Sequence, residues 1–547
     1  MPQLPFIRRP ALSRLSFITL FAAYIAIFLN LAYYRQVLAV MPLTSLHNIF
    51  VFLSMPLVIF SVIHIVLTLA SLIRLERLTL AILLLISAAT QYFILTFGIV
   101  MDRSMIANML DTTAAESFAL LTPQLVLSLL FSGVLAVMLA FWIRINKNAS
   151  VVKGLLIRAG SITLGVALIL FIAMLFYKDY ASLFRNNKEL VKSLNPSNSI
   201  AASWSYYSHH RLANLPLIKM GEDARQTPAQ LADHKQHLTI LIVGETSRAA
   251  DFSLSGYSRQ TNPLLEKDRV IYFPNTHSCG TSTAVSVPCM FSGMPRIHYN
   301  DELASHQEGL LDIMQRAGIR VLWNENDGGC KGACDRVPHQ NMTDLNLRGM
   351  CINGECYDEV LFHGLEDYID RLKGNGVIVL HTIGSHGPTY SHRYPSQFKK
   401  YMPDCETNQI QTCSQQQLVN TYDNTVLYVD YIIDKAIGVL KEHQDRFTGS
   451  LVYLSDHGES LGENGEYLHG LPYAIAPDQQ KHIPMLIWLS PAYQKQYAVK
   501  MDCLNKLAVS KEFSQDNLFS TMLGLAGVET RQYKPADDIL TTCRSSS

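Results

Sequence analysis

The chain has 547 residues, more than one ordinary domain holds, and its 45 basic residues balance 45 acidic ones. That balance excludes the strongly basic surface of a nucleic-acid binder, so no nucleic-acid partner is expected. Apolar residues make up 49% of the chain, but they crowd into residues 1–177, and the remainder has ordinary globular composition.

Five long uncharged runs come first: Leu15–Tyr34, Ile49–Ile73, Leu78–Met101, Phe118–Ile143 and Ala159–Tyr177. A helix rising about 1.5 Å per residue lets each cross a hydrocarbon layer of about 30 Å. Buried helices of a soluble protein do not come five in succession with short charged loops between them. A signal peptide would explain the first run and none of the others. Arg8, Arg9, Arg14, Arg74, Arg77, Arg144, Lys147, Lys153 and Arg158 fall on one side, whereas Arg35 and Arg103 fall on the other, with Asp102, Asp111 and Glu116 beside the latter. Positive charge stays in the cytoplasm, so the N-terminus is inside and five spans carry the rest of the chain out.

Residues 178–236 read as a linker with interfacial helices. Asn195-Pro196-Ser197-Asn198 and Arg225-Gln226-Thr227-Pro228 are turn signals. Between them Trp204-Ser205-Tyr206-Tyr207-Ser208-His209-His210-Arg211 fits either a membrane-interface segment or a plain linker helix.

From His237 to Ser547 the pattern alternates. Buried-strand candidates are Leu238–Val243, Arg320–Trp323, Gly376–Leu380, Ser450–Leu454 and Pro484–Trp488, with helical patterns over Glu308–Ala317, Tyr357–Leu372 and Leu418–His443. Short apolar strands alternating with helices predict an α/β domain with a mostly parallel sheet, whose ligands gather at the carboxyl ends of the strands. Chemistry-bearing residues follow those strands: Glu245 after the first, His381 and His386 after the third, and Asp456, His457 and later His469 after the fourth. Carboxylate with imidazole suits zinc, or manganese. Singly, each motif has a plain alternative as a helix cap or a turn.

All ten cysteines lie in this exported part: Cys279, Cys289, Cys330, Cys334, Cys351, Cys356, Cys405, Cys413, Cys503 and Cys543. An even count confined there indicates disulfides made in an oxidising compartment. Close neighbours read as local loop staples with 503/543 remaining, although sequence alone leaves the connectivity open. Between and beside the first two cysteines the segment SCGTSTAVSVPC crowds Ser278, Thr281, Ser282 and Thr283 into an uncharged loop. The residues themselves give these hydroxyls similar claims to chemistry.

Val243–Arg248, the Cys279–Cys289 segment, His381–Pro388 and Ser455–Ser460 together resemble the signature set of bacterial phosphoethanolamine transferases. These are membrane-anchored members of the alkaline phosphatase and sulfatase superfamily, and the likeness is strongest to the group that modifies lipid A and confers polymyxin resistance. The resemblance implies an inner-membrane enzyme, expected as a monomer, with five transmembrane helices and a periplasmic catalytic domain. It implies Thr283 as nucleophile, zinc ligands at Glu245, Thr283, Asp456 and His457, and one zinc ion or two. His386 and His469 match residues at a second metal or the phosphoryl group, and His381 and Lys331 match residues lining the substrate pocket. Phosphatidylethanolamine is the implied donor and lipid A the acceptor. Rival readings are transfer to another envelope glycan, a periplasmic phosphatase or sulfatase using water, and a zinc sensor without catalysis.

Overall fold

A computed structural model of the chain describes residues 9–97, 101, 106, 123–146, 150–213, 216–231, 235–352, 354–407 and 410–544. The chain divides into two compact units, 1–213 and 214–547. The first unit contains helices α1 (Arg14–Phe28), α2 (Leu31–Val40), α3 (Leu46–Ala70), α4 (Glu76–Phe97), α5 (Pro123–Trp142), α6 (Val151–Asn186), α7 (Lys188–Lys192) and α8 (Ser197–Ala213). Four of its helices are long and apolar enough to cross a membrane, and five spans result if the bent pair α1–α2 is one span. The start of the fourth expected run, and the charges at Arg8, Asp102, Arg103, Asp111, Glu116 and Lys147, lie outside the described residues.

The first expected span is not one straight helix, because α1 and α2 meet at 45°. Polar side chains satisfy the backbone that the break frees. Leu31 N donates to Gln91 Oε1 at 2.8 Å, and Gln91 Nε2 donates to Phe28 O at 2.8 Å. Buried Asn30 donates through Nδ2 to Ile25 O and accepts from Asn195 N through Oδ1. A broken helix within an apolar layer is tolerated only with such replacements. At the expected cytoplasmic end, Arg14 pairs with Glu76 at 3.1 Å, and Arg77 donates to Ile143 O at 2.6 Å.

The second unit is built on a seven-stranded sheet. Its strands are β1 (Gln236–Gly244), β2 (Ile271–Tyr272), β3 (Arg320–Glu325), β4 (His339–Asn341), β5 (Gly376–His381), β6 (Phe447–Ser455) and β7 (Met485–Leu489). The spatial order is β2-β7-β6-β1-β5-β3-β4. The block from β6 to β4 is parallel, and β7 is antiparallel to β6. Both faces are covered, which explains why the strands read as continuous apolar runs. Leu238, Ile240 and Ile242 enter one core while Leu241 and Val243 enter the other.

Helix α9 (Thr283–Ser292) follows the hydroxyl-rich loop, α10 (Gln415–Glu442) lies on one core and α11 (Asp516–Leu525) on the other. A capping box of Ser414 and Gln417 starts α10. The helix expected over Tyr357–Leu372 is instead a 3-10 turn, Asp358–Phe362, and a short helix, Leu365–Arg371. Gly364 separates them with φ of +72°, which no continuing α-helix allows. The cysteines form five disulfides, 279–289, 330–334, 351–356, 405–413 and 503–543.

Candidate active site

Three adjacent strands, β6, β1 and β5, end at one edge and deliver Asp456 and His457, Glu245, and His381. Each group is aimed by its neighbours. Asp456 Oδ1 accepts from Thr246 N at 3.1 Å and from His457 N at 2.6 Å. Its other oxygen, Oδ2, is buried and has no hydrogen-bond partner among the described residues. His457 Nδ1 donates to Gly458 O at 2.9 Å, so Nε2 is the nitrogen that faces inward. It lies 3.3 Å from Asp456 Oδ2 and 3.4 Å from Glu245 Oε1.

The hydroxyls of SCGTSTAVSVPC separate here. Thr281 Oγ1 donates to Leu471 O at 2.6 Å, and Ser278 Oγ to Gly280 O at 2.5 Å. Ser286 Oγ accepts from Gly280 N. Ser282 is the N-cap of α9, and Thr283 is its first residue. Only Thr283 among these hydroxyls reaches the strand ends, donating to Glu245 Oε2 at 3.0 Å and lying 3.5 Å from His457 Nε2. Half-buried Thr283 therefore stands between a helix N-terminus, which favours anions, and a buried anionic cluster. Gly280 makes this turn feasible, since a Cβ there would come within 2.7 Å of Val285.

Thr283 lies 3.0 Å from Glu245 and 3.5 Å from His457, His457 lies 3.3–3.4 Å from Asp456 and Glu245, and donor atoms of Glu245, Asp456 and His457 all fall within 4.8 Å of one another. A tetrahedral zinc site with bonds of about 2.0–2.1 Å has edges of about 3.3–3.4 Å, so the donor set fits such an ion. The electrostatics agree. Burial opposes ionisation of Glu245, yet His457 and His386 hold its carboxyl well below the usual range. Burial and the Glu245 carboxylate push Asp456 well up. Burial works against charge on His457, but Asp456 and Glu245 raise its pKa to about 10. Two buried carboxylates facing one imidazole are the arrangement that a divalent cation neutralises.

Comparison with known proteins decides the family. The sulfatase family matches residues 237–528, and the family described as phosphoethanolamine transferase EptA/EptB matches residues 59–211. The chain is 67% identical to phosphoethanolamine transferase EptA of Salmonella typhimurium over 99% of both chains. It is 35% identical to phosphatidylethanolamine transferase Mcr-1 of Escherichia coli over 94% of this chain and 95% of that one. The chain belongs to the phosphoethanolamine transferase family. Among solved structures, the transferase resembles the integral membrane lipooligosaccharide phosphoethanolamine transferase A of Neisseria meningitidis. The TM-score is 0.67 at 42% identity, over 98% of this chain and 100% of that one.

The remaining expected residues of the transferase divide. His386 and His469 approach each other, with ring centroids 5.7 Å apart, and offer donor atoms within 4.8 Å of Glu245. His469 Nδ1 faces Glu459 Oε2 at 3.3 Å, and burial raises Glu459 to about 8. His381 is fully buried, with Nδ1 2.9 Å from Glu325. Lys331 turns onto its own disulfide-tied loop and donates to Gly328 O at 3.0 Å, and among the described residues no hydrogen bond or ion pair joins it to the cluster.

Several contributors escaped the sequence reading. Thr246 adopts φ of +58°, strained for a β-branched residue. It donates through Oγ1 to Glu245 Oε1. Buried Gln515 accepts from Cys279 N at 2.7 Å and donates to Ser455 O and Asp456 O at 2.8 and 2.7 Å. Gly384, at φ of +48°, lets the His381–Pro388 loop pass where a Cβ would lie 2.5 Å from Glu245 O.

Proposed function

We propose that the chain transfers phosphoethanolamine from phosphatidylethanolamine to phosphate groups of lipid A, with Thr283 carrying the group between two half-reactions. The observation that carries this reading is the Thr283 hydroxyl at 3.0 Å from Glu245 and 3.5 Å from His457, in a chain whose relatives are phosphoethanolamine transferases. In the first half-reaction Thr283 Oγ1 gives up its proton and bonds to the donor phosphorus, while diacylglycerol departs with the oxygen that linked it and that oxygen takes up a proton. In the second a lipid A phosphate oxygen bonds to the same phosphorus, and the threonine oxygen leaves.

Glu245, Thr283, Asp456 and His457 would hold zinc, which when bound lowers the pKa of a hydroxyl and draws charge from a phosphoryl oxygen. Glu245 Oε2 takes the hydrogen bond of the threonine and so directs the free lone pair of Oγ1 away from the carboxylate. The N-terminus of α9 favours the negative charge that gathers on the phosphoryl oxygens. The added amine makes lipid A less negative, which weakens attraction for cationic peptides such as polymyxin, because each surface charge contributes. Tethering to apolar helices restricts the search for two lipid substrates.

Mass spectrometry of lipid A from cells with and without the protein tests the acceptor. Lipid A gaining phosphoethanolamine, with equimolar diacylglycerol release, is expected. Free phosphoethanolamine with unmodified lipid A would mean hydrolysis instead. Diacylglycerol release with another glycan modified would replace the acceptor.

A further inference from the structure

The strand order puts Asp456 on one side of Glu245 and places His381 and Asp327 on the other. His381, at the end of β5, is fully buried. Its Nδ1 lies 2.9 Å from Glu325 Oε2, and a carboxylate accepts, so the Nδ1 proton is engaged. Glu325 is itself fixed, accepting from Trp323 Nε1 at 2.8 Å and from Asp327 N at 2.6 Å. The inward nitrogen, Nε2, is buried, and among the described residues it has no hydrogen-bond partner. Asp327, whose side chain is 7% exposed, presents Oδ2 to it at 3.9 Å, too far for a hydrogen bond.

That spacing has a chemical meaning. An imidazole nitrogen and a carboxylate oxygen 3.9 Å apart can both reach an ion about 2.0–2.2 Å from each. Donor atoms of Glu245, Asp327 and His381 lie within 4.8 Å of one another. A carboxylate behind the ring of a histidine is also the usual support of a metal-binding imidazole, because it fixes the tautomer and raises basicity. The pair His386 and His469 adds no second carboxylate to Glu245, whereas Asp327 does. We infer that Glu245, Asp327 and His381 bind a second divalent cation, with Glu245 shared between two centres. One imidazole and two carboxylates suit Zn²⁺ or Mn²⁺. The ion would set a further positive charge beside the carboxylate that orients Thr283.

The inference rests on the proposed first centre through the shared Glu245, and metal counting separates the two. Full-length protein is stripped with a chelator, dialysed to equilibrium against Mn²⁺ or Zn²⁺ alone, and its metal measured by plasma mass spectrometry. Two ions per chain are expected in the unaltered protein, and one in Asp327→Asn, in His381→Gln and in Asp456→Asn. Circular dichroism identifies variants that fold, and the nearly isosteric Asp327→Asn carries the test if His381→Gln does not. One ion in the unaltered protein, lost in Asp456→Asn and kept in Asp327→Asn, overturns the second site and leaves the first. Two ions with the second lost in His386→Ala but retained in Asp327→Asn also overturn it. An ion lost in Asp327→Asn with none lost in Asp456→Asn supports this site while removing the first centre.

Discussion

His237 illustrates how one buried side chain ties stability to pH. It sits at the start of the central strand β1, 1% exposed, with Nδ1 3.0 Å from Thr448 Oγ1 and Nε2 3.0 Å from Thr239 Oγ1. Burial, aided by the Arg544 charge, lowers its pKa to about 3. The unfolded chain therefore binds a proton between pH 6.5 and 3 that the folded chain refuses. Stability from this residue is complete above pH 6.5 and is lost as pH falls through that window, by about 1.4 kcal/mol per unit. Thermal unfolding of the full chain in detergent, from pH 7.5 to 4.5, should show this slope. A neutral replacement, His237→Gln, should show a shallower slope across the same range whatever its absolute stability. Equal slopes would assign the acid sensitivity elsewhere. Thr283 makes a related point about position. Its hydroxyl has the chemistry of Thr281, but Thr281 is occupied by Leu471 O, and no local pattern announces that difference.

At the scale of elements, the site is held by contacts that cross between segments distant in sequence. Gln515, just before α11, grips the loop that carries Thr283 at Cys279 and the strand end at Ser455 and Asp456. Gln515→Leu keeps most of the volume and removes three partners of buried backbone groups. Each group left unsatisfied costs about 1–3 kcal/mol. The variant should melt earlier and hold its metal less tightly, and Gln515→Glu should recover the Cys279 bond alone. Unchanged melting and metal affinity in Gln515→Leu would refute the linkage. These contacts also explain what could be read in advance. Strands such as Gly376–His381 were legible because both faces are buried, which leaves an apolar run ending in polar residues. The cluster Glu245, Asp456 and His457 was legible because strand ends converge in parallel sheets. Gln515 was not, since 236 residues separate it from Cys279 and a single glutamine has no periodicity. The bend between α1 and α2 was hidden for a similar reason, because Gln91 and Asn195 are remote from the run they interrupt.

At the scale of the whole molecule, an apolar unit of spanning helices precedes a disulfide-bonded α/β unit. The charge distribution predicts Lys153 inside the cell and the second unit outside. An impermeant thiol reagent on spheroplasts carrying Lys267→Cys should label it, and Lys153→Cys should label only after permeabilisation. Labelling of residue 153 but not 267 in intact spheroplasts would reverse the topology. Reduction should destabilise the second unit, since losing a native bridge costs about 2–5 kcal/mol in small secreted domains. The proposed transfer turns on Thr283, and incubation of the enzyme with phosphatidylethanolamine in the absence of acceptor isolates its role. Peptide mass analysis should find phosphoethanolamine on Thr283, with no adduct and no diacylglycerol release in Thr283→Ala and partial activity in Thr283→Ser. An adduct on Thr281 or Ser282, with Thr283 unmodified and Thr283→Ala still active, would contradict it.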